Sequence, residues 1–162
     1  MNEWREGDIV LVEASGFLRR FVHYRHAALL WKRGDDWYTV EATPRKGVAG
    51  DQVGNWRQPY VVVRPIGVTK MQGEAAATEA LSYQGEGYDF ADWWPLFLRY
   101  LWRLFGILVA YDVICTDLVD LAWLAVGVDI APGVALVAPD DIARGPVEVI
   151  GEYEGDPEGG DT

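Results

Sequence analysis

The sequence predicts an α+β domain in which a small antiparallel sheet or half-barrel packs against helices, one of them carrying the only cysteine of the chain. Three observations predict it. Short β-branched runs bounded by turn residues recur at 9–12, 60–64 and 147–150. Two strand-like segments, His26-Ala27-Ala28-Leu29-Leu30-Trp31 and Asp36-Trp37-Tyr38-Thr39-Val40-Glu41, flank the polar Lys32-Arg33-Gly34-Asp35 and read as a β-hairpin. After Cys115, the residues Leu118, Leu121, Ala122, Leu124 and Ala125 keep helical spacing until Gly127, a natural stop.

Length and charge narrow the function classes. A chain of 162 residues that is 50% apolar buries one good core and is too short for two ordinary domains, so residues 1–150 are expected to form a single domain. The remaining stretch, 151–162, is glycine-rich and acidic and is expected to be a flexible tail. Its Glu152, Glu154, Asp156, Glu158 and Asp161 account for five of the net −11, which leaves −6 on the body. So acidic a body excludes nucleic acid as the expected partner, because phosphate contacts need a basic patch. One cysteine permits no internal disulfide, and the opening Met1-Asn2-Glu3-Trp4-Arg5-Glu6 lacks the basic and apolar regions of a signal peptide. The default expectation is therefore the cytoplasm, with a peripheral membrane position or export by another route left open.

Taken in order, Gly7-Asp8 is a turn into the buried strand at 9–12 and shows no chemistry of its own. Between Ser15 and Arg25 the residues Phe17, Leu18, Phe21 and Val22 recur at helical spacing, with Ser15 placed to cap, which predicts a short helix or structured loop. In the hairpin, placing Trp31 opposite Asp36 sets His26 directly across from Glu41, with Cβ atoms about 5 Å apart. A carboxylate there would orient an imidazole, and a slip of one residue would separate them onto opposite faces. Residues 42–50 read as turns. The strand at 60–64 is stopped by Pro65, and 75–81 is a packing helix closed by Gly85 and Gly87. Pro139 starts a short helical turn ahead of the last strand.

The run from Trp93 to Ala110 is aromatic and apolar, with Pro95 in a first turn that Asp92 can cap. It is not expected to span a membrane. Arg99 and Arg103 would cost roughly 5 to 7 kcal/mol on the insertion scale, about what the aliphatic residues return. Two readings stand for it: a core helix with snorkelling arginines, or a greasy wall for an acyl substrate with a peripheral membrane contact.

A lone cysteine at a helix entry is either an inert buried hydrophobe or a nucleophile whose thiolate the helix N-terminus favours, and a base decides between them. His26 is the expected base, with His23 as the backup. No histidine or cysteine cluster has metal-ligand spacing, so neither metal nor cofactor is expected.

An ordered set of short motifs goes further. Gly7-Asp8-Ile9-Val10, Arg25-His26-Ala27-Ala28-Leu29, Val40-Glu41-Ala42, Gly87-Tyr88-Asp89-Phe90, Cys115-Thr116-Asp117-Leu118-Val119 and Ala138-Pro139-Asp140-Asp141 together resemble the circularly permuted branch of the NlpC-type papain-like hydrolases. Within it they are most similar to the YiiX-like group, related to the lecithin:retinol acyltransferase-like proteins. The resemblance covers residues 7–150. It implies a permuted papain-like fold, with Cys115 as nucleophile, His26 as general base and Glu41 as the residue that orients it. The implied activity is that of a cysteine hydrolase or acyltransferase, an amidase or peptidase working through an acyl-enzyme on a cell-wall peptide or a lipid-like acyl compound. Tyr88, Trp93 and Trp102 are the expected substrate-binding residues. Arg25 before the histidine and Thr116-Asp117 after the cysteine depart mildly from the family pattern, and the long aromatic stretch before Cys115 departs more. The alternative is a papain-like scaffold that is catalytically inert and serves as a binding or virion- or envelope-associated module through its aromatic surface.

Overall fold

The computed structural model describes residues 3–43, 47–53, 56–85, 112–134 and 137–155. Among these residues six strands form one open antiparallel sheet: β1 (Ile9–Glu13), β2 (Tyr24–Arg33), β3 (Asp36–Thr43), β4 (Gly47–Gln52), β5 (Tyr60–Pro65) and β6 (Val147–Tyr153), in the spatial order β4-β3-β2-β1-β5-β6. Among the described residues three helices accompany it: α1 (Lys70–Ser82), α2 (Asp112–Ala125) and α3 (Pro139–Arg144). The architecture is thus mixed α+β. Among the described residues no helix is long and apolar enough to cross a membrane.

β1 reads as an unbroken apolar run because it is buried on both faces and lies between β2 and β5. Ile9 and Leu11 join Ala27, Leu29, Val40, Val61 and Val63 on the face covered by α1 and α2, whose Ala76, Ala80, Leu118, Val119, Ala122 and Trp123 complete that core. Val10 and Val12 join Ala28, Leu30 and Val62 on the other face, under Trp56, Tyr60 and Ile150. The side-chain period of two along a strand supplies both sets from the same four residues.

α1 begins earlier than the sequence pattern suggests, at Lys70. Thr69 and Gln72 close a reciprocal capping box there. Its Gly73 is where the backbone of the N-terminal turn crosses the helix: a Cβ at Gly73 would stand 2.2 Å from the Glu6 carbonyl oxygen, so only glycine fits.

Three expectations are corrected. The hairpin turn holds two residues rather than four: Gly34, with φ of +65°, and Asp35 join Arg33 directly to Asp36. A primed two-residue turn of this kind matches strand twist and needs the positive φ that glycine supplies. Residues 47–50, part of the stretch 42–50 read as turns, belong instead to the edge strand β4. The sheet also takes in Gly151–Tyr153, which the composition assigns to a flexible tail. Tyr153 stacks on Tyr60 at 5.0 Å and accepts a 2.6 Å hydrogen bond from Trp4, which holds that end of β6 down.

Candidate active site

Cys115 is the fourth residue of α2 and is fully buried, while its helix packs against β2 and β3. This position lies at the positive end of the helix dipole, in its first turn. β2 and β3 bring the other two groups. Their ladder runs from Arg33 with Asp36 to Leu29 with Val40, two residues out of the register that would oppose His26 to Glu41. Continued, it sets His26 opposite Thr43, with Glu41 as the diagonal neighbour. The direct-opposition expectation is therefore wrong, because the turn is two residues shorter. An offset of two preserves the face, however, and a diagonal pair about 7–8 Å apart remains within reach of long side chains.

The contact is made. His26 Nε2 hydrogen-bonds to Glu41 Oε2, with the histidine side chain 13% exposed and the glutamate 1%. The imidazole also hydrogen-bonds to Cys115, so it bridges thiol and carboxylate. Burial alone would pull the His26 pKa down. The charge and hydrogen bond of Cys115, together with those of Glu41, outweigh it and push the value up to about 10. A buried carboxylate is costly unless paired, and the imidazolium is the partner that makes Glu41 tolerable there.

Two further contacts hold this arrangement in place. Thr116, next to the cysteine, donates a 2.6 Å hydrogen bond from its hydroxyl to the Val137 carbonyl, just before α3. Asp140, on α3, accepts from the backbone N–H of Tyr24 at 2.9 Å and of His23 at 3.1 Å, at the start of the strand that carries His26. α3 thereby ties the helix that carries Cys115 to the strand that carries His26. Asp140→Ala leaves two N–H groups without their acceptor. It should lower stability by about 1 kcal/mol in urea denaturation and weaken the His26–Cys115 contact, read from the His26 ring resonances. The Pro139-Asp140-Asp141 motif gives no local sign of this role. An acidic doublet opening a helix reads locally as a dipole complement, and Asp141 does cap its own helix by accepting from Ala138 N–H at 3.1 Å.

Asp117, two residues past the cysteine, is raised to about 6 by burial and then by the neighbouring Asp120. A carboxyl with a raised folded-state pKa contributes stability that is complete below its ordinary 3.8 and is lost as pH rises through about 6. Asp117→Asn should accordingly raise the melting temperature at pH 7, a gain on the order of 1–2 kcal/mol that disappears below pH 4.

The backup base, His23, is exposed and lies outside the cluster; its ring packs edge-on to Tyr24. Tyr88, Trp93 and Trp102, expected to bind substrate, lie outside the described residues. No group of three or more metal-ligating side chains occurs among the described residues. Compared with known proteins, the chain matches no family model and no curated protein sequence.

Proposed function

We propose that the protein is a cysteine hydrolase or acyltransferase of the permuted papain-like, NlpC-type kind, acting on an amide or acyl bond. The observation that carries this reading is the His26 imidazole bridging Cys115 and Glu41. The four motifs that supply or brace those residues also stand in the order the family uses.

The chemistry follows from the bridge. An ordinary thiol, with a pKa of about 8.5, is only a few per cent ionised at neutral pH. Transfer of its proton to an imidazole that holds protons as firmly as His26 gives a thiolate–imidazolium pair. The thiolate adds to the acyl carbonyl, and the tetrahedral species collapses to a thioester on Cys115 as His26 protonates the leaving amine or alkoxide. The imidazole, now neutral, removes a proton from water or an acceptor amine, which attacks the thioester and releases the acyl group. Glu41 fixes the ring orientation and stabilises the imidazolium at each stage.

The test uses p-nitrophenyl acetate as a generic acyl donor. A burst of p-nitrophenolate with one acetyl group on the Cys115 peptide in mass spectrometry is expected. No adduct, or an adduct that persists in Cys115→Ser, would overturn the proposal and return the scaffold to the binding-module reading.

A further inference from the structure

The connection between β1 and β2 does not fold back onto its sheet. Gly16–Arg20 forms a single 3₁₀ turn in which no residue is buried. Phe17 and Phe21 are 61% and 59% exposed, and their rings meet edge to face with centroids 5.1 Å apart. Single exposed apolar side chains are ordinary on protein surfaces; two phenylalanines touching at the tip of a turn make one continuous patch. Two arginines flank it. The Arg20 guanidinium stands 5.9 Å from the centre of the Phe17 ring, and Arg19 stays 64% exposed while reaching Glu13 at 3.6 Å.

We propose that this tip, residues 16–22, is a docking element for the surface of an anionic lipid bilayer. Phe17 and Phe21 enter the boundary between headgroups and acyl chains, and Arg19 and Arg20 meet the lipid phosphates. Charge complementarity selects this occupant. A chain of net charge −11 is repelled by an anionic bilayer except where cations outnumber carboxylates, and residues 14–25 carry Arg19, Arg20 and Arg25 with no carboxylate, so the tip is favoured as the point of approach. Arginine stems lie along apolar surface while their heads remain in the polar layer, which suits side chains set beside two aromatic rings. A folded protein partner is a poorer fit, because a stable interface engages about 20–30 residues a side and this tip offers a single turn.

The tip also lies at the end of the sheet that holds the cluster. Val12 pairs with His26, Glu13 with Tyr24, and Ala14 N–H donates to the His23 carbonyl at 2.8 Å. Docking there brings the Cys115–His26 end of the molecule to the lipid surface. Docking of the tip needs no chemistry at Cys115.

The experiment is co-sedimentation with phosphatidylcholine vesicles, with and without phosphatidylglycerol. Binding is expected to the anionic vesicles and to weaken with added salt. It should fall about fivefold for each arginine removed in Arg19→Gln and Arg20→Gln, and about tenfold or more in the Phe17→Ser, Phe21→Ser double variant. All four side chains are largely solvent-facing, so both variant pairs should keep the wild-type melting temperature; should one fail to fold, the other decides. Absence of binding to anionic vesicles overturns the proposal, as does binding that the substitutions leave unchanged. A self-association in ultracentrifugation that the phenylalanine variant abolishes also overturns it, since the patch would then be covered by a second copy.

Discussion

Substituting Cys115 by serine is expected to lower the rate of acyl transfer from p-nitrophenyl acetate by roughly a thousandfold or more, because a hydroxyl is not ionised by an imidazole to any useful extent. His26→Gln should cost about 10²- to 10⁴-fold, the usual contribution of a positioned acid–base. The pH profile separates a working triad from an incidental contact. A His26 pKa of about 10 means that the imidazolium is present throughout the neutral range and is lost only as pH rises through that value. Its contribution to folding follows the same sign: the folded-state value lies above the ordinary 6.5, so the stabilisation is complete below 6.5 and disappears by about 10. Acylation by an anilide substrate, whose amine must take a proton from the imidazolium to leave, should therefore show an alkaline limb near pH 10. Glu41→Gln removes one of the charges that raise His26 while keeping a hydrogen-bonding side chain of similar shape, so the limb should move to lower pH. A limb unmoved by Glu41→Gln would separate Glu41 from the chemistry, and acylation undiminished in Cys115→Ser would remove the nucleophile assignment altogether.

How much of this site the sequence discloses depends on how local the cause is. The Cys115 helix, the hairpin and the strand at 60–64 are legible because apolar period and turn residues act within a few positions. The His26–Glu41 relation is legible as to face, since parity survives the two-residue difference in the turn, but the direct opposition is not, because turn length sets register. β4 is invisible to pattern: Gly47-Val48-Ala49-Gly50 has little β-propensity and becomes a strand because β3 offers it an edge to pair with. The start of α1 is hidden by Gly73, which propensity disfavours in a helix and which close contact with Glu6 requires. Asp140 and Thr116 act across chain separations that no local pattern encodes.

Gly7-Asp8, read from sequence as a turn without chemistry, gives the largest expected stability effect. Asp8 is 1% exposed and Arg64 7%; the guanidinium grips the carboxylate through two hydrogen bonds of 2.7 and 2.9 Å and reaches the Glu3 carbonyl at 3.0 Å. The Arg5 backbone N–H also donates to Asp8, at 2.8 Å. Burial raises the pKa of Asp8, and the hydrogen bonds from Arg64 and Arg5 oppose that rise. Arg64→Met keeps much of the stem's packing but leaves the carboxylate buried without its partner, which should cost about 3–5 kcal/mol in urea denaturation at pH 8. With Arg64 gone, burial acts with less opposition and the folded-state pKa climbs further. Stability then falls as pH rises through the raised value and recovers where the carboxyl can be protonated, so the deficit should be smaller at pH 5 than at pH 8. Adding Asp8→Asn removes the unpaired charge while keeping an acceptor for Arg5 N–H, and it should restore most of the loss. A deficit that is independent of pH and undiminished in the double variant would mean that Arg64 holds the N-terminal turn through packing and the Glu3 carbonyl, and that the ion pair contributes nothing.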